Sequence, residues 1–159
     1  MDFFNQTGKL AIGSRLRMLT DKITVDAAAI YKMFGVDLKP KWFPVFFVLS
    51  RGEAKTITSI AKEIGHSHPS VSNIIKEMVA KGLVKETKDK SDGRRNMVML
   101  SAKGKRMSDS FSEQCIDVTA AIEQITQQTR NDLWEAIEEW ENLLLDKSLL
   151  ERVKEAKKE

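Results

Sequence analysis

The sequence has 159 residues, of which 42% are apolar and 31% are charged, so it can build a core and still present a soluble surface. Its single cysteine, Cys115, excludes an internal disulfide framework, and its longest apolar run, residues 42–49, is too short to span a bilayer. No secretory signal is visible at the start, so we expect a cytoplasmic protein without a membrane partner.

The net charge of +3 is unevenly distributed along the chain. Residues 55–106 hold 12 basic and 5 acidic residues, whereas residues 107–159 hold 6 basic and 13 acidic ones. A basic block of this size suits a polyanion, because each neutralised phosphate releases counterions. A solvated face with a chance excess of lysine is an alternative that charge alone leaves open.

Two helices are predicted before the basic block. Apolar residues recur at spacings of four and three from Ile12 to Phe34, which indicates one long helix that Gly35 can end. A second helix is predicted from about Pro40 to Ser50, because proline is tolerated in a first turn. This second helix is almost entirely apolar, so we expect it to be buried.

Two short helices follow in the basic block. The first covers residues 56–65, where Thr56 or Thr58 can cap it and Gly65 ends it. The second begins after Ser67, a good N-cap, and ends near Gly82. The spacing points three of its residues inward, namely Val71, Ile75 and Met78. Its outward positions are then Pro69, Ser70, Ser72, Asn73, Lys76, Glu77 and Ala80.

A hairpin and two or more helices complete the chain. Residues 83–88 and 96–100 have strand character, and the polar segment between them contains the turn pair Asp92-Gly93. Ser101 can cap a further helix with an apolar stripe from Met107 to Ile125. A last helix carries Leu133, Ile137, Trp140 and Leu144, and the pattern allows it to continue through Val153.

Two short helices with a tight turn, followed by a hairpin, are typical of a winged helix-turn-helix, whose second helix enters the major groove. In that helix, Asn73 can bridge an adenine edge, and Ser70 and Ser72 can bond bases or phosphates. Lys76 supplies charge, and His68 stands near the helix N-terminus, where a phosphate can bind. An ordinary amphipathic helix facing water is the alternative reading of the same residues.

The hairpin favours the DNA-binding interpretation. Arg94 and Arg95 adjoin the turn and suit a narrow minor groove, where negative potential is focused. Asp92 could hold Arg94 through a charge-assisted hydrogen bond. A solvated turn is the alternative.

Three stretches of this chain resemble the MarR-type (multiple antibiotic resistance regulator) winged-helix family. They are Ser67-His68-Pro69-Ser70-Val71-Ser72, Lys81-Gly82-Leu83-Val84, and Asp92-Gly93-Arg94 through Val98-Met99-Leu100-Ser101-Ala102-Lys103-Gly104. The resemblance covers roughly residues 10–145. It implies a homodimer with interlocking terminal helices, DNA reading by the second short helix, and a wing-tip arginine at Arg94. Ser101 stands where threonine is more usual.

We therefore predict one mainly α domain with a small β-hairpin wing. Residues 1–36 and 107–159 would form a helical dimerisation region, and residues 37–106 the DNA-binding region. Apolar stripes on the outer helices favour the dimer independently, because the small module cannot cover them all. Two wings related by a dyad would read a pseudo-palindromic operator, with half-sites about 34 Å apart.

Several aromatic residues, Cys115 and the two histidines bear on functions other than DNA binding. An aromatic effector could bind beside Tyr31, Trp42, Phe46 and Phe111, although aromatics at helical spacing are more often core. Cys115 could sense oxidants, as in some relatives of the family, but its place on an apolar stripe favours an inert thiol. His66 and His68 form a poor metal site. No catalytic motif was found, and we predict neither an enzyme nor a cofactor. A winged helix that docks an acidic protein is the main alternative function.

Overall fold

The computed structural model describes residues 3–88, Asp92 and residues 96–157. Short 3-10 turns at Gly8–Ala11 and Pro40–Trp42 precede α2 and α3, respectively. The helices and strands, in chain order, are α1 Phe3–Thr7, α2 Ile12–Met33, α3 Phe43–Ser50, α4 Ile57–Glu63, α5 His68–Ala80, β1 Val84–Lys88, β2 Asn96–Leu100, α6 Ala102–Gln128, α7 Leu133–Asp146 and α8 Leu149–Ala156. This arrangement confirms the predicted fold class, a mostly helical chain with a two-stranded hairpin.

The chain divides into two units, residues 1–114 and residues 115–159. All described residues that are buried lie in the first unit. The boundary between the units falls inside α6, a few residues beyond the start of the predicted dimerisation region at 107. The assignment of residues 1–36 and 107–159 to dimerisation and of residues 37–106 to DNA binding stays a prediction.

The core of the first unit is built around α3. This helix is apolar on nearly all sides, and it therefore has to be enclosed by other elements. The ring of Phe46 packs edge-on against Phe111 of α6, with 4.8 Å between the ring centroids. Further fully buried side chains come from α4, α5, β2 and the residue before β1, namely Ile60, Val71, Ile75, Met78, Val98 and Leu83.

The hairpin is antiparallel and its register runs from Val84 opposite Leu100 to Lys88 opposite Asn96. Val98 and Leu100 are buried, while the alternate residues Met97 and Met99 are half-buried, as expected for a strand with one face on a core. Lys55 extends the ladder, since its backbone exchanges two hydrogen bonds with Val98, of 3.0 and 2.8 Å. The hairpin is thus attached to the segment that leads into α4.

The C-terminal region contains two helices rather than one continuous helix. The helix α7 ends at Asp146, and Ser148 begins α8 through a capping box with Glu151. In that box, the Ser148 hydroxyl accepts from the Glu151 backbone N–H, and the Ser148 backbone N–H donates to the Glu151 carboxylate. The permitted extension of one helix through Val153 is therefore not what the chain adopts.

Candidate nucleic-acid interface

The two short helices α4 and α5 are joined by a tight turn. Thr56 caps α4 by accepting from the Ser59 backbone N–H at 3.1 Å, and Ser67 caps α5 by accepting from that of Ser70 at 3.4 Å. Gly65 lies between the helices at a φ of +65°, a conformation that L side chains rarely adopt. These local signals are the ones that the sequence predicts, and they place α5 directly after α4.

The helix α5 has one buried face and one open face. Val71, Ile75 and Met78 are fully buried, as their spacing predicts, and Ile74 joins them. On the other side, His68, Asn73 and Lys76 are exposed, and Ser70 and Ser72 are half-buried. The face that carries the predicted DNA contacts is therefore accessible, and the contacts themselves stay a prediction.

Glu77 does not point freely outward, in contrast to the sequence-based expectation. Its carboxylate accepts hydrogen bonds from Lys41 Nζ at 2.6 Å, Trp42 Nε1 at 3.0 Å and Lys39 Nζ at 3.4 Å. The hydrogen bonds from Lys41 and then Trp42 lower the pKa of Glu77 to about 2. Its partners come from the segment before α3, about 35 residues away, and helical spacing alone cannot reveal such a contact.

A cleft of about 320 Å³ lies beside this ion pair, between α5 and the segment that leads into α3. Its polar lining includes Ser70 and Asn73 of the predicted reading face together with Lys41, a cation outside the predicted site. The residues that line it are Pro40, Lys41, Pro44, His66, Ser70, Asn73, Ile74 and Glu77. In the sequence, the signal from which this cleft could have been predicted was the pair Lys39 and Lys41 around Pro40, just before a buried helix.

The base of the hairpin is tied to the end of α5. The Ser101 hydroxyl donates to the carbonyl oxygen of Gly82 and accepts from the Gly104 backbone N–H at 3.1 Å. Lys103 Nζ donates to the carbonyl oxygen of Lys81 at 3.1 Å. These bonds set the strands beside α5, which is the arrangement that a wing requires.

The predicted wing-tip residues Arg94 and Arg95 lie outside the described residues. The same holds for the predicted pairing of Asp92 with Arg94, although Asp92 itself is described and is half-buried. Their roles at the DNA therefore rest on the sequence.

The four residues predicted to surround an aromatic effector are all part of the packed interior. Tyr31, Trp42, Phe46 and Phe111 are almost fully buried. None of them lines the cleft beside Glu77. An effector site at these residues stays a prediction, and it would require the core to open around them.

Cys115 and the two histidines were the remaining candidates. Cys115 is half-buried, and burial raises the pKa of its thiol. His66 Nδ1 lies 2.8 Å from the carbonyl oxygen of Ile64, while His68 is exposed at the start of α5. Among the described residues, no group of three His, Cys, Asp or Glu side chains could hold a metal ion, and no helix is long and apolar enough to cross a membrane.

The family model that matches the chain describes the MarR family, and its match covers residues 36–95. This segment contains α3, the helix-turn-helix and the first strand. A comparison with curated proteins gave no match.

Several solved structures share the fold. The chain is similar to MepR from S. aureus in complex with DNA, with 21% identity, a TM-score of 0.52, and coverage of 80% of this chain and 98% of that one. It is similar to PcaV from Streptomyces coelicolor with its natural ligand (13%, TM-score 0.62, 86% and 92%). It is also similar to the adhesin competence repressor AdcR from Streptococcus pyogenes (19%, TM-score 0.60, 84% and 95%). At these identities the likeness shows the fold alone.

Proposed function

We propose that this chain, which carries the winged helix-turn-helix of the MarR family, binds duplex DNA as a homodimer and represses transcription. The single observation that carries the proposal is the open polar face of α5 opposite a fully buried apolar face. A helix held in this way can enter the major groove without disturbing the core. Among the neighbours named above, PcaV is described as a transcriptional regulator, AdcR as a repressor and MepR in complex with DNA, which supports the proposal.

The reading surface would consist of two parts. In α5, Asn73 reads a base edge, Ser70 and Ser72 bond bases or phosphates, and Lys76 and His68 contact the backbone. In the wing, Arg94 enters the minor groove with Arg95 beside it. The basic balance of residues 55–106 would supply the sequence-independent part of the affinity.

The homodimer is supported by apolar side chains that the single chain leaves uncovered. Every described residue from Cys115 onward is exposed or half-buried, so the second unit has no core of its own. The helix α2 likewise exposes a stripe of large apolar residues, namely Ile12, Leu16, Leu19 and Ile23. A second copy would bury these surfaces, and its dyad would pair two reading helices on a pseudo-palindromic operator.

Release by a small aromatic effector is the finer part of the proposal. PcaV is described with a natural ligand, and AdcR is described as a repressor. For this chain the expected effector residues are Tyr31, Trp42, Phe46 and Phe111. An effector that opens their packing would change the spacing of the two reading helices and so lower the affinity for the operator.

The decisive experiment begins with selection of bound sequences from a random duplex pool. The selected operator is then titrated with the wild type, Asn73→Ala, Arg94→Ala and a control, Asn131→Ala, which removes an exposed asparagine of the second unit. We expect Asn73→Ala to lose about 1–3 kcal/mol of discrimination at one base position, and Arg94→Ala to weaken binding. If both variants bind the operator as the control does, the assigned reading surface is wrong.

A further inference from the structure

A second basic element lies beside α5 and belongs neither to the reading face nor to the wing. Lys39 and Lys41 flank Pro40, and their side chains are 55% and 56% exposed. Both ammonium groups are held at the Glu77 carboxylate. Lys41 also lines the cleft, together with His66, Ser70 and Asn73.

We propose that this cleft receives a phosphodiester group of the DNA backbone, with Lys41 as its cation and Glu77 as the residue that limits the affinity of this contact. The proposal rests on the proposed function, since it adds a contact to a DNA-bound α5. It assigns a role to two residues, Lys41 and Glu77, that lie outside the predicted reading surface.

The first argument is the width of the groove. An α-helix with its side chains is about 10–12 Å across, and the major groove is about 12 Å wide. A helix that enters the groove therefore has a phosphate strand along each flank. The cleft occupies one flank of α5, and it shares Ser70 and Asn73 with the reading face. A strand bordering the bases that Asn73 reads would pass next to Lys41.

The second argument is the chemistry of the lining. Hydroxyl, amide and ammonium donors from Ser70, Asn73 and Lys41 can all bond a phosphate oxygen, and the exposed His66 adds a further nitrogen. The apolar lining residues Pro40, Pro44 and Ile74 offer no competing acceptor side chain. An ammonium group has three donors, so Lys41 can bond a phosphate and keep its contact with Glu77.

The third argument concerns Glu77 itself. Its anchor is the indole N–H of Trp42, a side chain that is only 1% exposed, so the carboxylate has a fixed position on the flank of α5. From there it accepts hydrogen bonds from Lys41, which lines the cleft, and from Lys39, which does not. Its own charge repels any phosphate, and this repulsion weakens binding to all sequences alike. Glu77 would thus limit the non-specific affinity that two free lysines would produce.

The test measures the binding of a fluorescently labelled random-sequence duplex at several salt concentrations, using the full chain. We expect Lys41→Gln to lower the affinity and to reduce the slope of log K against log salt by about 1. Lys41→Arg, which keeps the charge, should retain both. Glu77→Gln keeps an oxygen for Trp42 and removes the repulsion, so it should bind the random duplex more tightly.

The matched control is Lys147→Gln, because Lys147 is also paired with a glutamate, Glu155, and lies outside both the cleft and the basic block of residues 55–106. A thermal melt of each variant checks that the variant is folded. If Lys41→Gln has the affinity and salt slope of Lys147→Gln, or if Glu77→Gln binds less tightly than the wild type, the phosphate site is overturned. If the wild type itself shows no salt-dependent binding, the proposed function fails instead.

Discussion

Gly104 lies directly against the backbone of Leu83. A Cβ atom added at Gly104 would be 2.2 Å from the carbonyl oxygen of Leu83, and 3.3 Å from the side chain of Leu100. Real Cβ atoms do not approach a backbone oxygen so closely. The first turn of α6 therefore meets the base of the hairpin only because this position has no side chain, and the same contact fixes where the wing starts.

We expect Gly104→Ala to lower the free energy of unfolding by about 1–3 kcal/mol, the usual cost of forcing a methyl group into a packed site. Alanine stabilises a helix relative to glycine by about 1 kcal/mol, so the steric clash has to cost more than this amount before the variant loses stability. The control is Gly13→Ala in α2, where an added Cβ meets nothing within 4 Å. Urea unfolding at one protein concentration compares them, and equal stability of the two variants would contradict the close contact.

A second prediction concerns Glu77 and acid. Its pKa is about 2 in the folded protein against an ordinary value of 4.5, because Lys41 and Trp42 bond the charged form. A depressed pKa stabilises the folded state above 4.5, and the contribution is lost as the pH falls from 4.5 toward about 2. The stability of the wild type should therefore fall toward that of Glu77→Gln over this range. If the stabilities of the two proteins keep a constant difference over this pH range, the charged carboxylate is not stabilised by its partners.

The sequence predicts most of the helix-turn-helix because its signals are local. Caps at Thr56 and Ser67 and the inward spacing of Val71, Ile75 and Met78 depend only on near neighbours in the chain. Glu77 could not be placed in the same way. It lies at the edge of the predicted open face, and its orientation depends on Lys39, Lys41 and Trp42, which the fold brings to it.

The break between α7 and α8 was missed for a different reason. Leu149 and Leu150 precede Val153 at spacings of four and three, and no proline or glycine interrupts residues 133–153, so the sequence allows a single helix. The signal for a new start was present as Ser148 with Glu151 three residues later. A local cap outweighs apolar spacing here because it satisfies backbone donors at the start of α8.

Cys115 provides a test of the redox alternative. Burial raises the pKa of its thiol, so little reactive thiolate is present at neutral pH. We expect slow labelling by a thiol reagent in the native protein and fast labelling after unfolding. Peroxide should leave DNA binding unchanged. If peroxide abolishes binding in the wild type and not in Cys115→Ser, the protein is a redox sensor after all.

The homodimer can be tested on the apolar stripe of α7, which consists of Leu133, Ile137, Trp140 and Leu144. Trp140 is 55% exposed in the single chain, so Trp140→Glu should cost the isolated chain little. In a dimer the same carboxylate would be buried without a partner, which is strongly unfavourable. We therefore expect light scattering to give the mass of a single chain for Trp140→Glu, and operator binding to be lost with the dimer.

The control for this experiment is Trp134→Glu, in the same helix. Trp134 is 79% exposed, and at 100° per residue it lies about 120° around the helix from Trp140, off the stripe. It should keep the dimer mass and bind the operator, since its carboxylate stays in water. A dimer that survives Trp140→Glu at the same concentration would exclude this stripe from the interface. The reading helices would then have to be paired through the exposed apolar residues of α2 or of the other terminal helices.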